Sequence, residues 1–100
     1  MKDISGDGWL RRGFRVTGRV QGVYYRAWAR GVANELGLRG TARNRTDGSV
    51  EIHVRGTPGA VTDFEARLLE GPISASVERV EPLASPDALP DGPFQILPSA

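Results

Sequence analysis

The apolar residues of this chain recur at two different periods, and the order in which the periods alternate leaves few ways to fold it. From Leu10 the pattern is strand-like: Leu10, Phe14 and Val16 share one side, Arg11, Gly13, Arg15 and Thr17 the other, with Arg12 intruding on the apolar side. The period then lengthens. Tyr25, Trp28, Ala29, Val32, Ala33 and Leu36 form one stripe at helical spacing. Gly37 supplies the residue that tolerates a left-handed helix end, and Leu38 the hydrophobic contact that accompanies it. Two strands follow, Thr41 to Arg45 and Val50 to Arg55, joined by an Asp47-Gly48 turn. Thr57-Pro58 opens a second helix as cap and first residue; Val61, Phe64, Leu68 and Leu69 are its expected buried side, and Gly71-Pro72 ends it. Ser76 to Leu83 alternates again, with a slip at Glu78-Arg79 that reads as a bulge. The turn-rich "ASPDALPDGP" is expected to be an exposed loop before a short last strand over Phe94 to Leu97.

The order β-α-β-β-α-β plus a short β predicts an α+β fold. It is a ferredoxin-like split β-α-β sandwich, an antiparallel sheet with two helices on one face. A right-handed first crossover makes the first two strands parallel, with the third inserted between them. The loop after strand one and the last residues of strand two then share one sheet edge, which brings Gly18 to Arg26 near Asn44. A 100-residue chain is one domain, here residues 9–100, preceded by a loose tail over residues 1–8. The absence of cysteine removes disulfides and thiolate metal sites. The first residues lack a signal-like apolar region, and no window has the ~18 apolar residues of a membrane span. A cytoplasmic protein without a membrane partner is expected. The net charge of +1 argues against a nucleic-acid partner.

Chemistry concentrates in "GRVQGVYYR", Gly18 to Arg26. Gly18 and Gly22 permit backbone conformations closed to other residues. The amides of Gln21, Gly22, Val23, Tyr24, Tyr25 and Arg26 would line a concavity at a helix N-terminus, where unpaired N–H groups and the helix dipole favour an anion. Arg26 adds a permanent charge and a planar donor fork suited to phosphate. The stretch is neither a Walker loop nor a dinucleotide fingerprint, because it has no Gly-Lys-Ser/Thr ending and no third glycine. On residues alone, a phosphate site and an ordinary βα turn with a solvated arginine both stay open.

"GRVQGVYYR", followed after the helix by "GLRGTARNRTDGSVEIHVRG", resembles the acylphosphatase family, with similarity from Phe14 to about Leu83 and more weakly in the last strand. The resemblance implies a ferredoxin-like hydrolase that splits acyl phosphates into a carboxylate and inorganic phosphate without metal or organic cofactor. By position, Arg26 matches the family's substrate-binding arginine, Gln21 to Tyr25 its phosphate loop, and Asn44 the asparagine that holds the attacking water. Thr41 stands where tryptophan is common and Tyr25 where phenylalanine is commoner. Thr41, close to Asn44 in sequence, is the departure that bears on its placement. A small-molecule acyl phosphate substrate and a monomeric state are expected.

The other candidates carry less. His53, the only histidine, falls on the polar side of its strand and reads as an exposed strand residue. The tail "DISGDG" imitates half a calcium loop, but its twelfth position is Phe14. Tyr25 and Trp28 read as core, and Arg43 and Arg45 either raise the potential beside Asn44 or are outward-facing strand arginines. Two alternatives belong to another class. An RNA-binding sheet would need a pair of sheet-face aromatics, which is missing. A non-catalytic phosphate-binding or regulatory module of the same fold is disfavoured by the retained Arg26 and Asn44. A segment of a larger carbamoyl-transfer protein is a third option, set against a free-standing enzyme by chain length.

Overall fold

The computed structural model describes residues 8–86 and 88–100, so most of the expected N-terminal tail, residues 1–7, lies outside the described residues. The elements run β1 (Leu10–Arg19), α1 (Tyr25–Glu35), β2 (Arg39–Asn44), β3 (Val50–Gly56), α2 (Pro58–Glu70), β4 (Ser76–Leu83) and β5 (Gln95–Ile96). They form one five-stranded sheet in the order β4-β1-β3-β2-β5. As the pattern required, β3 lies between β1 and β2 and is antiparallel to both.

The sheet is mixed, not wholly antiparallel, because β5 pairs parallel with β2. The cause is the route of the chain. β4 runs against β1, and hence against β2. The following segment crosses the sheet and re-enters at the end where β4 stopped, so β5 must run with β2.

Phe14 and Val16 of β1, Ala42 of β2 and Val50, Ile52 and Val54 of β3 meet Tyr25, Ala29, Val32 and Ala33 of α1 and Val61, Phe64 and Leu68 of α2 in one core. Leu69, expected among them, is 59% exposed. One residue past Leu68 is a rotation of roughly 100° about the helix axis, enough to leave the buried face. Helix ends follow their residues. Leu38 N–H donates to Ala33 O (2.8 Å) and Gly37 N–H to Asn34 O (3.2 Å), the two bonds of a Schellman motif, with Gly37 at φ 71°. Thr57 Oγ1 accepts from Ala60 N–H at 3.3 Å and caps α2.

The β1–β4 register shifts between Thr17, opposite Arg79, and Gly18, opposite Val77, which leaves Glu78 as the extra residue of the expected bulge. Gly18 is obligatory there: at φ 118°, an added Cβ would lie 2.2 Å from Ser76 O.

The segment after β4 departs from the expectation of an exposed loop. It packs on the sheet face opposite the helices, burying Leu89 and placing Ser85 Oγ 3.1 Å from His53 Nδ1. His53 is accordingly 6% exposed, not a surface residue, with its Nε2 2.6 Å from Glu51 Oε2. Its strand face is polar by pattern but roofed by a distant part of the chain.

Candidate active site

Where β1 passes into α1 the backbone turns through two left-handed residues, Gly22 at φ 72° and Tyr24 at φ 70°. At Gly22 an added Cβ would meet nothing within 4 Å, so the requirement is conformational, not steric. Tyr24 occupies the N-cap position of α1 but makes no side-chain cap, and the first turn contains no acidic residue. The leading N–H groups of α1 therefore keep their donors, and the positive end of the helix dipole is not offset by a neighbouring carboxylate.

These groups open on a cavity of about 350 Å³ whose wall includes Gly22, Tyr24, Arg26 and Asn44, with Val20, Ala27 and Ile96 as its apolar part. The topology thus brings Arg26 and Asn44 together, as the strand order implied. Arg26 Nη1 lies 3.4 Å from Leu97 O just beyond β5, which leaves the rest of its guanidinium fork for a ligand. Asn44 Oδ1 is buried and has no hydrogen-bond partner among the described residues. It is a free acceptor on the wall of a cavity otherwise furnished with donors.

The loop residues divide by what their side chains do. Gln21 points away from the cavity: its Nε2 donates to Arg45 O and Ser49 O, each at 2.8 Å, and clasps the loop to the β2–β3 turn. Val23 O accepts from Ser74 Oγ at 2.9 Å, while the Val23 side chain packs on the core. Tyr25 is 1% exposed, donates its hydroxyl to Leu68 O at 2.7 Å and meets Trp28 at 5.3 Å with the rings tilted; Tyr25 is core as expected, and Trp28 is half-buried against that core. Burial pushes the Tyr25 phenol well above its ordinary range. Tyr24, by contrast, is 80% exposed at the cavity rim. Apart from Tyr24 at the rim, the loop offers an anion in the cavity only its backbone.

Strand alternation separates the other candidates. Thr41 and Arg43 face the roofed side of the sheet, and Asn44 faces the helix side. Arg43 is therefore no neighbour of the anion, and Thr41 cannot loosen Asn44 by direct contact. Arg45 Nη1 lies 3.5 Å from Glu51 Oε1. The hairpin carrying Asn44 is held by Asp47, whose Oδ1 accepts from Ser49 N–H (2.9 Å) and Ser49 Oγ (2.6 Å) and whose Oδ2 pairs with Arg15 (2.8 Å). The Ser49 hydroxyl first, then the Arg15 guanidinium, hold the Asp47 carboxyl well below the usual carboxylate range.

Sequence reasoning missed the clasp made by Gln21 and the wall supplied by Val20, Ala27 and Ile96. Only their distance from the loop glycines would have drawn attention to the first two, and nothing marked Ile96. Among the described residues no group of three or more His, Asp or Glu could hold a metal ion. Among the described residues no helix is long and apolar enough to cross a membrane.

The family model for acylphosphatase matches residues 12–96. The chain belongs to the acylphosphatase family. Among relatives, it is 48% identical over 75 residues to an acylphosphatase of Rhodopseudomonas palustris, covering 74% of this chain and 76% of that protein. It is 54% identical over 67 residues to one of Mesorhizobium japonicum, covering 67% and 71%. The fold agrees with that of an acylphosphatase from Coxiella burnetii, at a TM-score of 0.78 and 30% identity over 91% of this chain and 95% of that one. The α+β ferredoxin-like architecture is the one this family displays.

Proposed function

We propose that Arg26, the backbone amides of Gln21 to Arg26, and Asn44 carry the acylphosphatase reaction of this chain. The chain is an acylphosphatase, and it hydrolyses the carboxyl–phosphate bond of an acyl phosphate to a carboxylate and inorganic phosphate. The phosphoryl group sits on the uncapped end of α1, with the Arg26 fork on two of its oxygens. Asn44 Oδ1 accepts a hydrogen bond from a water and aims that water's oxygen at phosphorus, in line with the leaving oxygen.

As the water–phosphorus bond forms, the bond from phosphorus to the carboxyl oxygen breaks. The leaving carboxylate has a conjugate acid with a pKa of about 4, so it departs without a protein acid. The water's proton passes to a phosphoryl oxygen. Charge on the equatorial oxygens is met by Arg26 and the amides, the usual protein contribution to phosphoryl transfer.

The observation that carries the reading is the unpartnered Asn44 Oδ1 beside Arg26. A module that only bound phosphate would gain nothing from an acceptor there, since its lone pairs repel an anion; a bound water uses it. A monomeric, cytoplasmic protein completes the reading.

The test is hydrolysis of benzoyl phosphate, followed by ultraviolet absorbance with EDTA present, in wild type, Arg26→Ala and Asn44→Ala. We expect EDTA-resistant turnover in wild type. Arg26→Ala should lose both turnover and phosphate binding, and Asn44→Ala should lose turnover while phosphate still binds. Wild-type-like turnover in Asn44→Ala would remove its assigned role.

A further inference from the structure

The sheet face opposite the helices carries a second cavity of about 350 Å³, and it shares no wall residue with the first. Its floor consists of two directly opposed cross-strand pairs, Thr41 with His53 and Arg43 with Glu51. The segment after β4 roofs it with Ala84 and Leu89, and Leu97 closes the side toward β5. That volume lies at the lower end of the ~300–1,000 Å³ typical of small-molecule sites.

We propose that this cavity binds a small organic monocarboxylate with an apolar body. The reasons are the charges and what already occupies them. Glu51 is engaged on both oxygens: Oε2 lies 2.6 Å from His53 Nε2 and Oε1 3.5 Å from Arg45 Nη1. Arg43 is different. It lines the cavity, and its Nε is buried without a partner among the described residues. A buried guanidinium donor left unpaired is costly, and a carboxylate matches its planar fork. Among the described residues, one free cation facing a site that also contains Glu51 suits a singly charged head better than a doubly charged phosphate. Leu89, Leu97 and Ala84 then receive the apolar body. This is the chemistry of the product left when an acyl phosphate loses its phosphoryl group.

An occupant would also touch the neighbours of both catalytic groups. Arg43 precedes Asn44 on β2, and Leu97 supplies the carbonyl that Arg26 contacts. That consequence for catalysis rests on the roles proposed for Arg26 and Asn44, whereas binding itself does not.

The test uses benzoate as probe, titrated into ¹⁵N-labelled protein with and without saturating inorganic phosphate and followed by amide shifts. We expect shifts at Thr41, His53 and Leu97, with an affinity unchanged by phosphate and unchanged in Arg26→Ala. Arg43→Gln should weaken binding about tenfold or more, the scale of a lost charge-assisted contact. Ala84→Phe, a change at an exposed residue at the end of β4, should abolish binding by filling the cavity, and it decides the matter if Arg43→Gln does not fold. Three results overturn the proposal. Benzoate affinity that falls with phosphate or vanishes in Arg26→Ala places it in the phosphate cradle. Undiminished binding in Arg43→Gln or Ala84→Phe places it elsewhere. No shifts at millimolar benzoate mean the cavity accepts no carboxylate.

Discussion

Replacing Gln21 by alanine separates two roles that the sequence could not tell apart, contact with phosphate and positioning of the loop. In the structure the carboxamide donates to Arg45 O and Ser49 O, both at 2.8 Å. Neither carbonyl is orphaned by its loss, because Ser49 O also accepts from Arg45 N–H (2.9 Å) and Arg45 O from Gly48 N–H (3.1 Å). The cost is therefore two neutral hydrogen bonds at about 0.5–1.5 kcal/mol each, without a desolvation penalty. Since one of the two is solvent-exposed, about 1–2 kcal/mol is the expected total. In a domain of this size that lowers Tm by roughly 5–15 °C. The clasp joins the cradle to the base of the hairpin that carries Asn44, so its loss lets Asn44, the proposed holder of the attacking water, drift relative to the phosphate. A misplacement of about 1 Å can cost a hundredfold in rate, so kcat for benzoyl phosphate should fall about 10–100-fold. Phosphate affinity should change less than threefold (about 0.7 kcal/mol), because the amides of Tyr25 and Arg26 belong to α1 itself and those before them lead straight into it. Thermal unfolding, phosphate titration and steady-state kinetics on one preparation decide it. A tenfold loss of phosphate affinity at unchanged Tm would mean that the side chain touches the anion and that the clasp is misassigned.

Three further outcomes are expected. Asp47 prefers its ionised form in the fold, so its contribution is present above the unfolded carboxyl pKa near 4 and is lost as pH falls toward its lower folded value. Asp47→Asn should thus lower Tm at neutral pH and flatten its decline below about pH 4; parallel acid limbs in the two proteins would refute this. Tyr25 has the opposite sign: its raised folded pKa keeps stability intact below an unfolded value near 10 and erodes it at higher pH. Tyr25→Phe should cost about 1–3 kcal/mol in urea unfolding at pH 7, by stranding Leu68 O, and should lose that alkaline decline. Tyr24→Gly should raise stability by about 0.5–1 kcal/mol, as relief of left-handed strain outweighs the added chain entropy, and should weaken phosphate binding through a looser cradle. Unchanged phosphate affinity there would show that the strained residue does not serve the site.

What could be read from the residues was local. The alternation of Val50, Ile52 and Val54, the stripe from Tyr25 to Leu36 and the slip at Glu78 each report one element's faces, and the strand order followed from their sequence. Arg26 and Asn44 came together because β1 and β2 run parallel with β3 between them, which puts the ends of both strands on one edge of the sheet. What escaped was set by distant chain. Gln21 finds its acceptors on the far side of a hairpin, and two donors on a carboxamide do not announce which carbonyls they will meet. His53 has the pattern of an exposed residue, and only the aperiodic segment after β4 buries it. The side of β2 to which Arg43 belongs was implicit in the alternation with Asn44, but adjacency in sequence had suggested a shared site.

Tyr24 was the least legible residue of the corner, and it explains the corner's chemistry. A tyrosine is a poor choice for a left-handed position, which costs roughly 1–2 kcal/mol, and it leaves α1 without the side-chain cap that is typically worth about 1 kcal/mol. A serine or aspartate there would stabilise the helix, yet its oxygen would take the N–H groups that an anion needs, and aspartate would cancel the dipole. α2 shows the other solution in the same molecule, where Thr57 caps and Pro58 follows. The two helices differ because only one ends at a cavity containing Arg26 and Asn44. On the roles proposed above, local stability is given up at α1 so that its free amides, with Arg26, can hold the phosphoryl charge in a reaction whose leaving group needs no acid.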